Sequence, residues 1–194
     1  MTSTSDWPLM PAMLISSRAF RLSLPIVIGV VVAACASTSG ARDPESGAPD
    51  LASLKAYTSA FRSIDSAAVA GYPRVVNDCL IHELHGAMGF HHVNSALVDR
   101  AVDIRHPEIL LYERAQDSTY RLNAVEFIVP FRLWPPDSVP PQIMGQQLRR
   151  DTNLKIWYLH VWAWRQNPNG LFANFHPDVR CPPGASKVFR PSDG

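Results

Sequence analysis

The 194-residue chain has almost no net charge, with 18 Lys and Arg residues against 17 Asp and Glu residues. A net charge of +1 gives no strong field for nucleic acids or anionic membrane surfaces. The sequence also has no stripe of basic residues of the kind that nucleic-acid-binding proteins present. We therefore expect no nucleic-acid partner.

Several catalytic signatures are missing from the sequence as well. There is no Gly-rich phosphate loop, no nucleophile elbow, no HExxH helix and no internal repeat. The sequence therefore identifies no catalytic residue, and whether the protein is an enzyme stays open at this point.

The chain lacks an apolar run long enough for a comfortable membrane span, which needs roughly 20 residues. Its uncharged, mainly apolar run covers residues 22–34, follows Arg18 and Arg21, and ends in small residues before Cys35. This order is typical of a secretory signal peptide. Residues 1–12 are then either a long first part of that signal or lie upstream of the true start codon.

The sequence VAAC at residues 32–35 resembles the lipobox of bacterial lipoproteins. The resemblance implies that the Cys35 thiol is lipidated and that the protein is anchored to the membrane of the bacterial cell envelope. Ala36, rather than Asp, at the second mature position favours the periplasmic side of the outer membrane. The alternative is a plain signal peptide that happens to contain a cysteine.

Composition divides the chain into four parts. Residues 1–35 form the signal peptide with its lipobox, and residues 36–49, rich in Ser, Gly, Pro and Ala, form a flexible linker. A single globular domain follows at residues 50–183, with a tail at residues 184–194. We expect a monomer, and the sequence indicates no particular protein partner.

Cysteine is scarce, with three residues in the chain. If Cys35 carries lipid, Cys79 and Cys181 remain, and an even number in an exported domain favours a disulfide. The alternatives are two separate buried thiols, or one thiol that acts as a ligand.

The pattern of the domain predicts an α+β fold. Seventeen prolines argue against a helical bundle. Apolar residues recur at spacings of three and four over residues 50–71, which predicts one amphipathic helix from Asp50 as N-cap to Gly71. Beyond Tyr72 the apolar period changes to two. We therefore expect an N-terminal amphipathic helix packed on a mainly antiparallel β-sheet or a small sandwich.

Three strands are clear in the pattern. Residues 108–114 and 120–130 predict a hairpin with a turn near residues 116–118. The even-numbered residues from Leu122 to Ile128 should share one face of the second strand. Residues 154–164 predict a central strand, since both of its faces are apolar; its even-numbered residues from Ile156 to Trp164 should share a face. We expect its tryptophans in the core, with an aromatic pocket for sugar or lipid as the alternative.

Two polar residues, Glu126 and His160, stand where this pattern requires burial. A buried carboxylate is costly unless it is paired or coordinated, and a buried histidine needs partners for its ring nitrogens. The stretch HGAMGFHHVN adds His85, His91 and His92. In an extended segment His91 and His92 point to opposite faces, so one of them at most can join a given site. We predict a site for a divalent metal such as zinc, or for a small polar ligand, from His91, Glu126 and His160, with His85 and His92 as substitutes.

Three alternatives compete with this metal site. The cluster could be a structural Glu–His hydrogen bond in a protein that binds a partner or only supports the envelope. Glu126 could instead pair with Arg132 or Arg149. A metal-dependent hydrolase would need an open coordination position and a general base, and the sequence identifies no such base.

The domain resembles a family of uncharacterised exported bacterial proteins, many of them lipoproteins. The matching pieces are AGYPRVVNDC, GAMGFHHVN, PEILLYE, AVEFIVP, PPQIMGQ and LHVWAWRQNPNGLFANFHPDVRC, which together cover roughly residues 51–181. The resemblance implies a shared fold and a bond between Cys79 and Cys181. It brings no activity.

The chain departs from this family pattern at two places. Arg149 stands where such sequences usually carry a histidine, and residues 175–177 read Phe-His-Pro where they tend to have Trp-Asn-Pro. If the family uses that histidine as a ligand, the site is altered in this chain. His91 and His160 stand at matching positions.

Overall fold

The computed structural model describes residues 48–75, 78–184 and 186–188. The predicted signal peptide with Cys35, most of the predicted linker and residues 189–194 lie outside these ranges. Within them, no helix combines the length and the apolar character that crossing a membrane requires.

The helical segment is broken rather than continuous. The structure has α1 at Ala48–Thr58, a 3-10 turn at Ser59–Phe61 and α2 at Ile64–Val69. The prediction of one amphipathic helix over residues 50–71 is therefore wrong. The Thr58 hydroxyl donates to the Leu54 carbonyl at 2.7 Å, and such back-bonding disfavours continuation of a helix. Ser63 is extended between the two parts, with φ −87° and ψ 130°.

The predicted end of this segment at Gly71 is confirmed. Gly71 has φ +97°, a conformation that glycine adopts without steric cost. The Tyr72 N–H donates to the Ala67 carbonyl at 3.0 Å and the Gly71 N–H to the Ala68 carbonyl at 3.2 Å. This pair of bonds is the Schellman arrangement that ends many helices.

Nine strands follow the helices in the described residues. They are β1 Cys79–His82, β2 Gly86–Val93, β3 Ile109–Arg114, β4 Tyr120–Pro130, β5 Gln142–Ile143, β6 Gln146–Gln147, β7 Arg149–Asp151, β8 Ile156–Val161 and β9 Ser186–Val188. Seven form one curled sheet in the order β7-β8-β4-β3-β2-β1-β9, and β5 pairs with β6 alone. All neighbours are antiparallel except β1 and β9. The fold is thus α+β with a mainly antiparallel sheet, and β9 lies within the residues assigned to the tail.

The predicted hairpin is confirmed, because β3 and β4 pair in antiparallel register from Ile109 opposite Glu126 to Arg114 opposite Tyr120. Its turn contains Ser118 at φ +65°. The third predicted strand is also present, although β8 ends at Val161 instead of residue 164. It is central, as predicted, between β4 and β7.

A β-bulge corrects the predicted faces of β4. Leu111 pairs with Ala124 and Tyr112 with Leu122, so Asn123 is an extra residue in β4. An extra residue reverses the alternation of side chains beyond it. Leu122 therefore packs in a different core cluster from Ala124.

Beyond Val161 the alternation fails as well. The Asn123 carbonyl accepts the N–H groups of Trp164 and Arg165 at 2.9 and 3.1 Å, which turns the chain away from the sheet direction. The Trp164 indole then donates to the Thr58 hydroxyl at 3.0 Å. Trp164 thus lies against the helical segment, and the prediction that it shares a face with His160 is wrong.

The two faces of the sheet carry separate cores. The helix-side core joins buried residues of the helical segment, such as Leu54 and Phe61, to sheet residues such as Leu110 and Val125. The site-side core lies on the opposite face and contains Ala87, Ile109, Leu111, Ala124, Ile128, Tyr158, Trp162 and Val179. Trp157 and Trp162 are buried, as expected for core tryptophans.

Cys79 and Cys181 form a disulfide, with their Cα atoms 5.6 Å apart. The bond links β1 to the segment that precedes β9, across a sequence separation of 102 residues. The prediction of this disulfide is confirmed, and the alternatives of two separate thiols or a thiol ligand are wrong.

Candidate metal centre

The three predicted ligands lie on three different strands of the curled sheet. Glu126 of β4 is directly opposite His160 of β8, while His91 lies on β2, on the far side of β3. In a flat sheet β2 and β8 would lie roughly 14 Å apart, at about 4.8 Å per strand. The ring centroids of His91 and His160 are 6.2 Å apart. The curl of the sheet thus helps to bring the two histidines to one place.

Two irregular residues of β2 shape this region. Leu80 pairs with Gly89 and Ile81 with Ala87, so Met88 is the extra residue of a second bulge. Gly89 has φ +103°, and a Cβ atom there would lie 2.4 Å from the Tyr112 carbonyl oxygen. Only glycine allows β2 to run this close to β3 in this conformation.

The ligand atoms of the cluster face one another. His91 Nε2 lies 3.5 Å from Glu126 Oε2, and His160 Nε2 lies 3.7 Å from Glu126 Oε1. One ligand atom from each residue lies within 4.8 Å of the other two. The side chains of Glu126 and His160 are 7% and 1% exposed, against 15% for His91. The predicted residues are therefore brought together in a buried cluster that could hold a metal ion.

Hydrogen bonding prepares His91 to act as a ligand. Its Nδ1 lies 3.3 Å from the Gly89 carbonyl oxygen, which can only accept, so Nδ1 carries the proton. The lone pair of the neutral ring is then on Nε2, facing Glu126. Metal-bound histidines commonly hold their second nitrogen by such a bond to a carbonyl.

Burial makes all three groups neutral at pH 7. It lowers the pKa of His91 to about 4 and raises the pKa of Glu126 to about 8, with smaller contributions to the latter from the charges of Glu108 and Asp151. Burial, followed by the electrostatic interaction with His91, lowers the pKa of His160 well below its ordinary value. The two imidazoles are thus available as nitrogen donors, and Glu126 must release a proton before it can bind an ion as a carboxylate.

His160 is the most deeply buried member of the cluster. Both of its ring nitrogens are buried, and neither makes a hydrogen bond of normal geometry, although the Asn174 side chain is near enough to raise the pKa of His160. The 3.7 Å separation from Glu126 is too long for a hydrogen bond. Unpartnered buried polar groups are costly, and a ligand that the nitrogen binds would remove this cost.

A cavity of about 160 Å³ adjoins the cluster. All three candidate ligands line it, together with the polar residues Asp151 and Tyr158. The rest of its wall is apolar and consists of Leu80, Met88, Val93, Ile109, Leu154 and Ile156. None of the four tryptophans in the described residues lines the cavity, so its wall does not support the alternative of a tryptophan-lined pocket for sugar or lipid.

The two substitute ligands lie elsewhere. His85 is exposed in the turn between β1 and β2, where its ring stacks on His82 with centroids 4.4 Å apart. His92 is buried against Tyr112, a residue of the helix-side core, at a centroid distance of 4.7 Å. His91 and His92 thus point to opposite faces as predicted, and the assignment of His85 and His92 as substitutes is wrong.

Neither predicted arginine pairs with Glu126. Within the described residues its ion-pair contacts are with His91 and His160. Arg149 donates to the Asn174 side chain, whose amide donates to the Tyr158 hydroxyl at 3.0 Å. The alternative of a Glu–Arg pair is therefore wrong.

Two carboxyl groups near the cluster were not predicted. Glu108 is 2% exposed, accepts the Ile128 N–H at 3.0 Å, and has its pKa raised to about 8 by burial. Asp151 accepts the N–H groups of Asn153 and Leu154 at 2.8 and 2.9 Å. The DTN sequence at residues 151–153 is a recognisable turn signal. Glu108 directly precedes an apolar strand, and no motif around it in the sequence indicates that its side chain is buried near the cluster.

In comparisons with known proteins, the chain matches no protein-family model, no curated protein and no solved structure. The resemblance to exported bacterial proteins thus stays a prediction from the residue pattern.

Proposed function

We propose that the domain binds one divalent metal ion, such as zinc, as part of a lipid-anchored protein of the bacterial cell envelope. The observation that carries the metal site is the group of three ligand atoms, from His91, Glu126 and His160, within 4.8 Å of one another. They lie in mainly apolar surroundings on one face of the sheet, at the edge of a cavity.

The separations of the ligand atoms fit a metal ion. A tetrahedral zinc ion with bonds of about 2.1 Å holds neighbouring ligand atoms roughly 3.4 Å apart. The Nε2 atoms of His91 and His160 lie 3.5 and 3.7 Å from different oxygens of Glu126. With one oxygen of Glu126, the three ligand atoms lie within 4.8 Å of one another, so small side-chain rotations would bring them to this distance around an ion. A direct hydrogen-bonded cluster would instead bring these atoms to about 2.7–3.2 Å.

The donor set also suits such an ion. Two imidazoles and one carboxylate form the ligand set of several catalytic zinc sites and of non-haem iron sites. Three protein ligands leave at least one coordination position for water or another molecule. The ion would act as a Lewis acid beside the cavity. The protein would hold the ion in place and form the apolar wall.

Two features support export and anchoring to the envelope. The signal-like segment ends in the lipobox-like sequence that contains Cys35. The Cys79–Cys181 disulfide is a bond that persists mainly in oxidising compartments, of which the bacterial periplasm is one. The family resemblance favours an exported protein, and Ala36 favours the outer membrane.

The proposal is tested by the metal content of the full chain, purified from the envelope without an affinity His-tag. Mass spectrometry should find close to one equivalent of a divalent transition metal, and His160→Ala and Glu126→Gln should lose it. His85→Ala and Glu108→Gln are the matched controls, since His85 and Glu108 lie outside the ligand set, and both should retain it.

Other outcomes would identify a different role. If no metal is found even after incubation with zinc, cobalt or copper, the metal site is wrong. If His160→Ala and Glu126→Gln unfold the domain and wild-type protein is metal-free, the cluster is structural. For the anchor, labelled palmitate should enter the wild-type chain and not Cys35→Ser; equal labelling would contradict lipidation at Cys35.

A further inference from the structure

The cavity beside the cluster has two chemically distinct parts. One end carries the three candidate ligands, and the wall is built from apolar side chains that include Val93, Leu154 and Ile156. Because His91, Glu126 and His160 all line this cavity, an ion bound by them would border it. A molecule in the cavity would then meet the ion at one end and apolar surface along its length.

The size of the cavity limits the molecule. An apolar protein cavity of about 150 Å³ accommodates benzene, which has six non-hydrogen atoms. At about 160 Å³, the present cavity has room for an apolar body of similar size. Larger ligands would have to extend past its mouth.

The mouth is marked by an exposed apolar side chain. Leu154 is 54% exposed and lines the cavity, in the turn between β7 and β8. Leu84 is a useful comparison, because it is also an exposed leucine in a turn, at 84% exposure, and does not line the cavity.

The charges around the cavity favour an anionic head group. A divalent ion held by Glu126 retains one positive charge, since both histidines are neutral donors. The Asp151 carboxylate also lines the cavity, and its Oδ1 accepts two backbone N–H groups. Arg149 on β7 adds one positive charge, which acts on His160, and Asp151 adds one negative charge, which acts on Glu126. One positive charge is thus left for a ligand to neutralise.

We infer that the cavity binds a small monoanionic amphiphile, with a carboxylate-type oxygen on the metal ion and an apolar body of about six non-hydrogen atoms along the wall. This inference rests on the proposed metal site and names the class of molecule that this site accepts. Short-chain carboxylates are the simplest members of the class.

The test uses full-length protein loaded with Co²⁺, whose visible absorption responds to a change in its ligands. Acetate, butyrate, hexanoate and decanoate are titrated into separate samples. Each added methylene should tighten binding by up to about fourfold, the equivalent of about 0.8 kcal/mol per buried CH₂. The gain should stop near hexanoate, because the cavity is then full.

Two variants locate the binding surface. Leu154→Ser should weaken hexanoate binding several-fold and leave acetate and Co²⁺ binding unchanged, because it removes apolar wall and no ligand. Leu84→Ser should leave all three unchanged. Equal weakening by both variants would mean that the alkyl chain of hexanoate does not lie against the wall of this cavity.

The outcomes separate this inference from the proposed function. One equivalent of Co²⁺ could bind without any change in its absorption when the carboxylates are added, or acetate could bind as tightly as hexanoate. Either result would make the inference wrong and leave the metal site in place. Equally tight binding of hexanoate to metal-free protein, measured by calorimetry, would also overturn it. If no Co²⁺ binds, the proposed function fails and the inference fails with it.

Discussion

At the scale of single residues, the proton on Glu126 controls the proposed site. Burial raises its pKa to about 8, whereas His91, with a pKa of about 4, is already neutral at pH 7. Metal binding should therefore release one proton below about pH 8. We expect the apparent metal affinity to rise by up to tenfold per pH unit from about pH 5 to pH 8 and then to level off.

Calorimetry in buffers of different ionisation enthalpy measures this proton directly. At pH 7.5, the release of most of one proton per metal ion is expected. If Glu126 and the histidines had ordinary pKa values, near 4.3 and 6.5, almost no proton would be released at this pH. Glu108→Gln should lower the release only slightly, because burial is the main cause of the raised pKa of Glu126, although the pKa of Glu108 is also raised to about 8. Loss of the proton release in that variant would mean that the proton comes from Glu108 and not from Glu126.

We expect Arg149 to weaken the proposed metal site, because its positive charge acts on His160, one of the proposed ligands. It pairs with Tyr158 across β7 and β8, two residues before His160. Removing a positive charge beside a dication favours binding, so Arg149→Gln should tighten metal binding several-fold. If related proteins use the histidine at this position as a ligand, Arg149→His should tighten binding further, by about tenfold or more over wild type.

Competition with a chromophoric chelator gives the two affinities. Arg150→Gln is the matched control, since Arg150 is the next residue along β7, is exposed and pairs with Trp157 instead. It should change the metal affinity less than twofold. Equal affinities for Arg149→Gln and Arg149→His would show that residue 149 acts by charge alone.

At the scale of elements, strand β2 depends on Gly89. Gly89 and Gly170 have nearly the same φ, +103° and +105°, but only a Cβ at Gly89 would collide with backbone, 2.4 Å from the Tyr112 carbonyl oxygen. Gly170→Ala should therefore cost about 1 kcal/mol of unfolding free energy for its φ alone. Gly89→Ala should cost at least about 3 kcal/mol, because β2 must also move away from β3.

Thermal unfolding and Co²⁺ titration together test this prediction. A loss of 3 kcal/mol should lower the Tm by roughly 10 °C in a domain of this size. Gly89→Ala should also weaken Co²⁺ binding at temperatures where it is folded, because the Gly89 carbonyl orients His91. Similar Tm values for Gly89→Ala and Gly170→Ala would contradict the close approach of β2 to β3.

The same strands show how far local patterns can predict the structure. Apolar segments bounded by turns predicted β3, β4 and β8, and the polar residues Glu126 and His160 within those segments predicted the cluster. The extra residues Met88 and Asn123 were not predicted, because a bulge depends on the register between two strands and not on either sequence alone. The curl that brings His91 towards His160 is likewise a property of the whole sheet.

The prediction of one continuous helix over residues 50–71 failed for a related reason. The spacing of its apolar residues fits one helix, but Leu54 and Thr58 are the only buried side chains described in α1. The stripe that would hold one long helix to the sheet is therefore narrow. The Thr58 and Ser59 hydroxyls both donate to carbonyls within the helix, at 2.7 Å each. Such local hydrogen bonds compete with helix continuation, and apolar periodicity does not report them.

At the scale of the whole molecule, the disulfide and a bound metal should stabilise the fold by separate routes. The Cys79–Cys181 bond closes a loop of about 100 residues and restricts mainly the unfolded chain. Replacing both cysteines by alanine should cost about 2–5 kcal/mol and lower the Tm by roughly 6–15 °C. A change below 2 °C would contradict this contribution.

The proposed metal, in contrast, would bind the native state, where the three candidate ligands are close together. At a free concentration of 100 Kd it should add about 2.7 kcal/mol to the free energy of unfolding. Since one effect acts on the unfolded chain and the other on the folded site, the gain from metal should be the same with and without the disulfide. Denaturant unfolding of wild type and Cys79→Ala/Cys181→Ala, each with and without Zn²⁺, measures this coupling. We expect a coupling below about 0.5 kcal/mol, as for independent sites. A larger coupling would mean that the disulfide also shapes the native cavity. Leu80 would carry this effect, because it directly follows Cys79 and lines the cavity.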